Sequence, residues 1–273
     1  MTLTAFGREA AKGIDFLWRD LRLETSYRLG FFTQTVGILF SVTANYFLAR
    51  FVGPRAFADL GVDYFSYILV GVAFFGYLSV SLTSFSTALR EAQMTGVFEQ
   101  LLVTQTAVGT VVWGGSLYHF LLTTLHALAH LAAGAWLFGA DFSRANAPAA
   151  VVVAMLSILA FSGVGVFSSA LIVLFKKGNP LNWLIVSSSW LLGGVLFPVS
   201  VLPPWMQAIA RWNPLTASLD ALRAALLKGA TLADLAPQTA LLATFAVALL
   251  PASLLCFAWA VERSKVSGTL AEF

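Results

Sequence analysis

The residues from Leu196 to Leu215, LFPVSVLPPWMQAIARWNPL, set four prolines, two tryptophans and one arginine directly after a run apolar enough to cross a membrane. Proline lacks an N–H and its ring clashes with the preceding turn, so a helix entering this stretch must stop near Pro198. Pro203 and Pro204 then suit the first turn of a new helix. Trp205, Met206, Ile209 and Trp212 give that helix an apolar face, with the tryptophans at interfacial depth. Asn213 and Pro214 end it and open another, Leu215 to Lys228, which carries Asp220 and Arg223. Irregular backbone at membrane depth is costly unless protein or a water-filled cavity surrounds it. The pattern therefore predicts a pair of re-entrant or extracellular helices over 203–228, dipping partway into the outer leaflet.

The rest of the chain supplies the membrane setting. Its 273 residues are 59% hydrophobic and 11% charged, with a mean hydropathy of +0.83, and long stretches carry no charge at all. Uncharged runs at 29–49, 64–89, 100–140, 145–175, 178–210 and 235–261 can each hold a helix of the roughly 20 apolar residues that a span needs. We expect an all-α polytopic membrane protein, one domain over 1–273, with six spans at 29–50, 64–87, 107–138, 147–175, 181–199 and 237–261. A seven-span variant that splits 100–140 is disfavoured by length alone. Ten Lys and Arg fall on the N-terminal side of the membrane against six opposite, which predicts that both termini are cytoplasmic. The first apolar run begins only near Leu29, after five basic residues, and is expected to remain as an anchor. Residues 3–24 read as an amphipathic helix: Leu3, Phe6, Ile14, Leu17 and Leu21 share one face, with Arg8, Lys12, Asp15, Arg19 and Arg22 opposite. Such a helix lies in the membrane interface.

Several chemistries are excluded by motif. The sequence has no Gly-Lys pair and hence no phosphate-cradling GxxxxGK[ST] loop, and neither GxSxG nor HExxH occurs. Every Asp and Glu lies outside or at the edge of the uncharged runs, so no intramembrane acid is available for ion exchange. Uphill transport would need energy from a partner. The basic residues are scattered, which points to topology and anionic lipid rather than nucleic acid. The single Cys256 rules out a disulfide within the chain.

Between the second and third spans, ALREAQMTGVFEQLLVTQT (Ala88 to Thr106) alternates Leu89, Ala92, Val97, Leu101 and Leu102 with Arg90, Glu91, Gln93, Glu99 and Gln100. This predicts a short amphipathic cytoplasmic helix over 88–105. The spacing of Glu91, Gly96, Glu99, Leu101 and Leu102 resembles the coupling helix of ABC-2 type transporter permeases. Pro198, Leu202, Pro203, Trp205, Asn213, Pro214, Leu215 and Arg223 resemble that family's second signature, at the end of the fifth span. The resemblance covers essentially the whole chain. It implies the membrane subunit of an ABC exporter that dimerises and docks on two copies of a separate ATP-binding subunit. ATP and Mg would be held by that partner, and no cofactor by this chain. The expected location is the bacterial inner membrane. Leu23 to Phe32, LETSYRLGFF, looks closer to the drug and lipid exporters than to the polysaccharide branch. By the same resemblance, Gln34, Ser41 and Asn45 on one face of the first span, with Ser188 and Ser189 of the fifth, are candidates for the substrate path. Trp205, Trp212 and Arg223 are candidates for an outer gate that meets cargo on release.

His119, His126 and His130, the only histidines, fall on one face of the third span. A metal site or proton path is one reading; a polar stripe bonded to a neighbouring helix is the other, and no carboxylate or thiolate stripe completes a metal set. Two further functions stay open at this point, a membrane-embedded lipid-modifying enzyme and an ATP-independent channel or secondary transporter. The 23 phenylalanines suit an amphipathic or hydrophobic cargo without choosing among drugs, lipids and glycans.

Overall fold

The computed structural model of the chain describes residues 28–53, 61–94, 108–175 and 180–266. The expected interfacial helix at 3–24 lies outside the described residues, as do Gly96, Glu99, Leu101 and Leu102; Glu91 falls in the last turns of a described helix. Among the described residues the fold is all-helical: α1 (Arg28–Val52), α2 (Tyr64–Met94), α3 (Val108–Phe138), α4 (Ala147–Phe175), α5 (Pro180–Leu192), α6 (Pro204–Ala210), α7 (Pro214–Lys228) and α8 (Ala236–Val266), with a 3-10 turn at Val199–Val201.

Local chemistry starts these helices where it should. The Ser66 N–H donates to Asp63 Oδ2 at 3.1 Å ahead of α2, and the Ala149 N–H to Asn146 Oδ1 at 3.2 Å at the head of α4. α7 opens on Asn213, whose Oδ1 accepts the Leu215 N–H at 3.0 Å, followed by Pro214 at a position where no N–H is needed. It closes on Gly229 at φ 71°, a left-handed cap.

Among the described residues five helices are long and apolar enough to cross a membrane: Phe32–Val52, Tyr64–Phe85, Ser116–Phe138, Ala147–Ile172 and Ala236–Arg263. The expected span at 181–199 is not such a helix. α5 stops at Leu192 after 13 residues, about 20 Å at 1.5 Å per residue, short of the ~30 Å hydrocarbon core. The reason is Gly193 and Gly194, the latter at φ +75°, which turn the chain before Pro198 is reached.

α4 and α8 pack along one another, and α2 lies against both α3 and α4. Lipid is as apolar as leucine, so close fit rather than hydrophobicity holds such helices together. The fit is set by small residues. A Cβ on Gly165 would lie 2.1 Å from the Ser81 carbonyl oxygen of α2, and one on Gly163 3.1 Å from Leu249 of α8. α7, though short, is the centre of the bundle: ten of its fifteen residues are buried, among α2, α4 and α8. Buried polar pairs fix the register. Ser157 and Ser218 hydroxyls meet at 2.6 Å between α4 and α7. Asn182 of α5 donates to the Leu82 carbonyl of α2 at 2.7 Å and accepts from Ser168 of α4. α1 covers only one flank, through Val42 and Ala49, and leaves Phe40, Phe47 and Phe51 outward.

Candidate functional site

The site is built on the break itself. Once α5 ends, the carbonyls of Gly194, Val195 and Leu196 have no helical turn to accept from, and each unpaired group at membrane depth would cost several kcal/mol. Three side chains answer them. The Tyr67 hydroxyl donates to Gly194 O at 3.2 Å, Arg223 Nη2 to Val195 O at 2.9 Å, and the Tyr64 hydroxyl to Leu196 O at 2.9 Å. Arg223 also donates through Nε to the Tyr67 carbonyl at 3.1 Å, and its guanidinium carbon lies 3.4 Å from the centre of the Tyr67 ring. Planar donors stacked on an aromatic face are what arginine, unlike lysine, provides. The approach depends on Gly71, where a Cβ would stand 2.3 Å from Val195 O and 2.4 Å from Arg223 Nη2. Tyr64, Tyr67 and Gly71 therefore form a seat on α2 for the broken segment.

Beyond the break the chain is stitched again. Gln207 Nε2 donates to the Ser200 and Leu202 carbonyls at 3.1 and 2.8 Å, and Asn213 Nδ2 to the Ser189 hydroxyl at 3.2 Å. Pro203 precedes α6 in extended backbone and Pro204 starts it. Trp205 (66% exposed) and Trp212 (76%) stand outward beside Ile209, as interfacial anchors do. Arg223 differs from its expected place beside them at an outer gate: it is only 5% exposed and holds the break from inside.

Behind the staple is a cavity of about 400 Å³. Asp220, Arg223, Leu227 and Lys228 reach it from one face of α7, Gln238 from the start of α8, and Val62 from just before α2. Arg223 Nη1 and Gln238 Oε1 are buried without a hydrogen-bond partner. Burial lowers the Arg223 guanidinium from its ordinary value, against the Tyr67 and Asp220 fields that raise it. The Asp220 side chain opens into the cavity, yet the protein around it displaces enough water to push its carboxyl up, with Arg223 opposing.

The expected path residues do not converge. Gln34 is exposed on α1 and its Oε1 lies 3.0 Å from His126 Nε2 of α3. Ser41 and Asn45 are half-buried further along α1. Ser188 donates within α5 to the Ile185 carbonyl at 3.2 Å, and Ser189 is taken up by Asn213. His130 Nδ1 sits 2.9 Å from the His126 carbonyl, and among the described residues no three His, Cys, Asp or Glu cluster as metal ligands. Replacing Gln34 and His126 by alanine, singly and together, is expected to give a coupling energy of about 0.6 kcal/mol, the usual size for a polar pair between membrane helices; thermal melting of the four proteins in one detergent measures it.

Sequence reasoning missed Tyr64, Tyr67 and Gln238, and noted Asp220 on its helix without giving it a role. The tyrosines stand three apart on one helix face at the head of a span, which is a readable signal, but what they serve lies 127 and 132 residues away.

Residues 18–227 match the family profile of the ABC-2 type transporter. The linearmycin resistance permease protein LnrN of Bacillus subtilis (strain 168) is 26% identical over 182 residues, covering 66% of this chain and 47% of the relative. The chain thus matches about half the length of that curated relative.

Proposed function

Because the chain belongs to the ABC-2 type transporter family and is a multi-pass membrane protein of transport machinery, we propose that it is the permease subunit of an ATP-binding cassette exporter. In this reading two permeases form the substrate path and two copies of a separate ATPase, holding ATP and Mg²⁺, drive it. The observation that carries the reading is the family match over 18–227, which takes in α1 to α7 and the break between them. The absence of a Gly-Lys pair anywhere in the 273 residues supports assigning nucleotide chemistry to a different subunit.

The segment at 88–105, with Glu91, Gly96, Glu99, Leu101 and Leu102, is the proposed coupling helix. The chain through α5 and the break serves as an interrupted fifth span, and α6 and α7 as the re-entrant pair. The protein resides in the bacterial inner membrane with both termini cytoplasmic. The Bacillus relative is named for linearmycin resistance, and export of a drug-like or lipidic compound is the cargo class we favour over a glycan. Co-purification from the native membrane is expected to bring down a P-loop ATPase in equal amount. Glu99→Lys should lose that ATPase, and with it ATP-dependent efflux from inverted vesicles. Efflux by the chain alone, without any ATPase, would instead make it a channel or secondary transporter.

A further inference from the structure

The lining of the cavity behind the break carries both signs of charge and both kinds of unpaired polar atom. Arg223 and Lys228 bring positive charge, and Arg223 Nη1 is a buried donor with nothing to donate to. Asp220 brings negative charge, and Gln238 Oε1 is a buried acceptor with nothing to accept. A guest that carries an anionic oxygen group and a cationic group with N–H bonds satisfies both unpaired atoms and both signs of charge. Its volume of about 400 Å³ falls within the ~300–1,000 Å³ of small-molecule sites.

Depth narrows the source. The lining comes from Val62 just before α2, Lys228 at the last turn of α7 and Gln238 at the first turn of α8. Those are the helix ends, so the cavity opens at the level where lipid headgroups lie. Val62, Val199 and Leu227 add apolar wall, fit for the glycerol and upper acyl region of a lipid.

We propose that this cavity is a binding site for a phosphodiester bearing a primary amine, an ethanolamine-type phospholipid headgroup. The phosphate oxygens accept from Arg223 Nη1 and the Lys228 amine; the ammonium donates to the Asp220 carboxylate and Gln238 Oε1. The site is separate from the question of cargo, since a resident lipid here would brace α7 against α2 and α8 whatever the protein moves. Choline lipids carry no N–H to donate to Asp220 or Gln238, and glycerol lipids, whose hydroxyls can donate to both, bring no cation to the Asp220 carboxylate.

The full chain, purified in mild detergent with any bound ATPase, is exchanged into an equimolar mixture of phosphatidylethanolamine, phosphatidylglycerol and phosphatidylcholine. Retained lipid is then counted by native mass spectrometry. One phosphatidylethanolamine per chain is expected, at least fivefold over either competitor. Asp220→Asn should bring the ethanolamine-to-glycerol ratio close to one, and Lys228→Gln should weaken retention of both about tenfold. Both residues are exposed to the cavity, so these variants spare the buried staple. Soluble glycerophosphoethanolamine at millimolar concentration should displace the lipid. A bulk-like lipid composition on the wild type, or unchanged selectivity in both variants, overturns the site. Retention that the soluble headgroup cannot compete with also overturns it, by placing recognition in the acyl chains. None of these outcomes depends on transport, so failure here leaves the exporter reading standing.

Discussion

Arg223→Leu is expected to yield a protein that reaches the membrane poorly and melts far below the wild type. The substitution leaves the Val195 carbonyl buried without a donor, a loss of about 1–3 kcal/mol, and removes a desolvated cation–π contact of about 2 kcal/mol. Relief from burying the guanidinium offsets part of this. A net loss on the order of 3 kcal/mol remains, which is large against the 5–15 kcal/mol that most domains have in hand. Arg223→Lys should recover only part, because an ammonium reaches one carbonyl at a time and cannot lie flat on Tyr67. Tyr67→Phe keeps the ring and loses only the bond to Gly194 O, so a drop of about 1 kcal/mol is expected. Fluorescence-detected gel filtration after graded heating ranks the four proteins. Wild-type melting in Arg223→Leu would mean that the guanidinium holds nothing and is free to act on cargo.

The second large effect is expected at Gly165, and Gly134 supplies its control. A Cβ at Gly165 meets the Ser81 carbonyl oxygen at 2.1 Å and Phe85 at 2.7 Å. Backbone cannot step aside without moving α2 as a whole, and forced overpacking of this kind costs about 1–3 kcal/mol. A Cβ at Gly134 is equally close to an atom, 2.1 Å from Leu69 Cδ2, but a leucine can change rotamer. Alanine gains about 1 kcal/mol over glycine within a helix, and at Gly134 that gain offsets most of the repacking. Gly165→Ala should therefore lower the melting temperature sharply while Gly134→Ala leaves it nearly unchanged. Equal behaviour of the two would show that α2 and α4 are not in backbone contact.

These two sites also mark where reading the sequence succeeded and where it could not. Pro204 and the Asn213–Pro214 pair located the starts of two helices, because proline and an Asx cap act on their own few residues. The glycines of α4 could be read as a packing surface, yet nothing local says that Ser81 is what they pack against. Arg223 was the least legible residue. Its partners are 28 and 156 positions away, and an arginine next to interfacial tryptophans in sequence invites an exposed placement that the fold does not adopt. The early stop of α5 was legible in principle from Gly193 and Gly194. The apolar run around them masked it, since hydropathy measures whether a segment suits lipid and not whether its backbone stays helical. Gln34 and His126 were each placed on a polar face, but that the two faces meet across α1 and α3 depends on helix rotation, which one sequence does not fix.

The staple at the break also orders the birth of the protein. Tyr64 and Tyr67 are synthesised long before the carbonyls they serve, so α2 is already a membrane helix when Gly194 to Leu196 leave the ribosome. The tyrosines can receive the unwound segment at once, while Val195 must wait for the 28 further residues that bring Arg223. Until then α5 is a short helix followed by an open carbonyl that has to be met by water or by the insertion machinery. Arrival of α7 closes that interval, so a helix that enters late, ahead only of α8, seals an opening left by an earlier one.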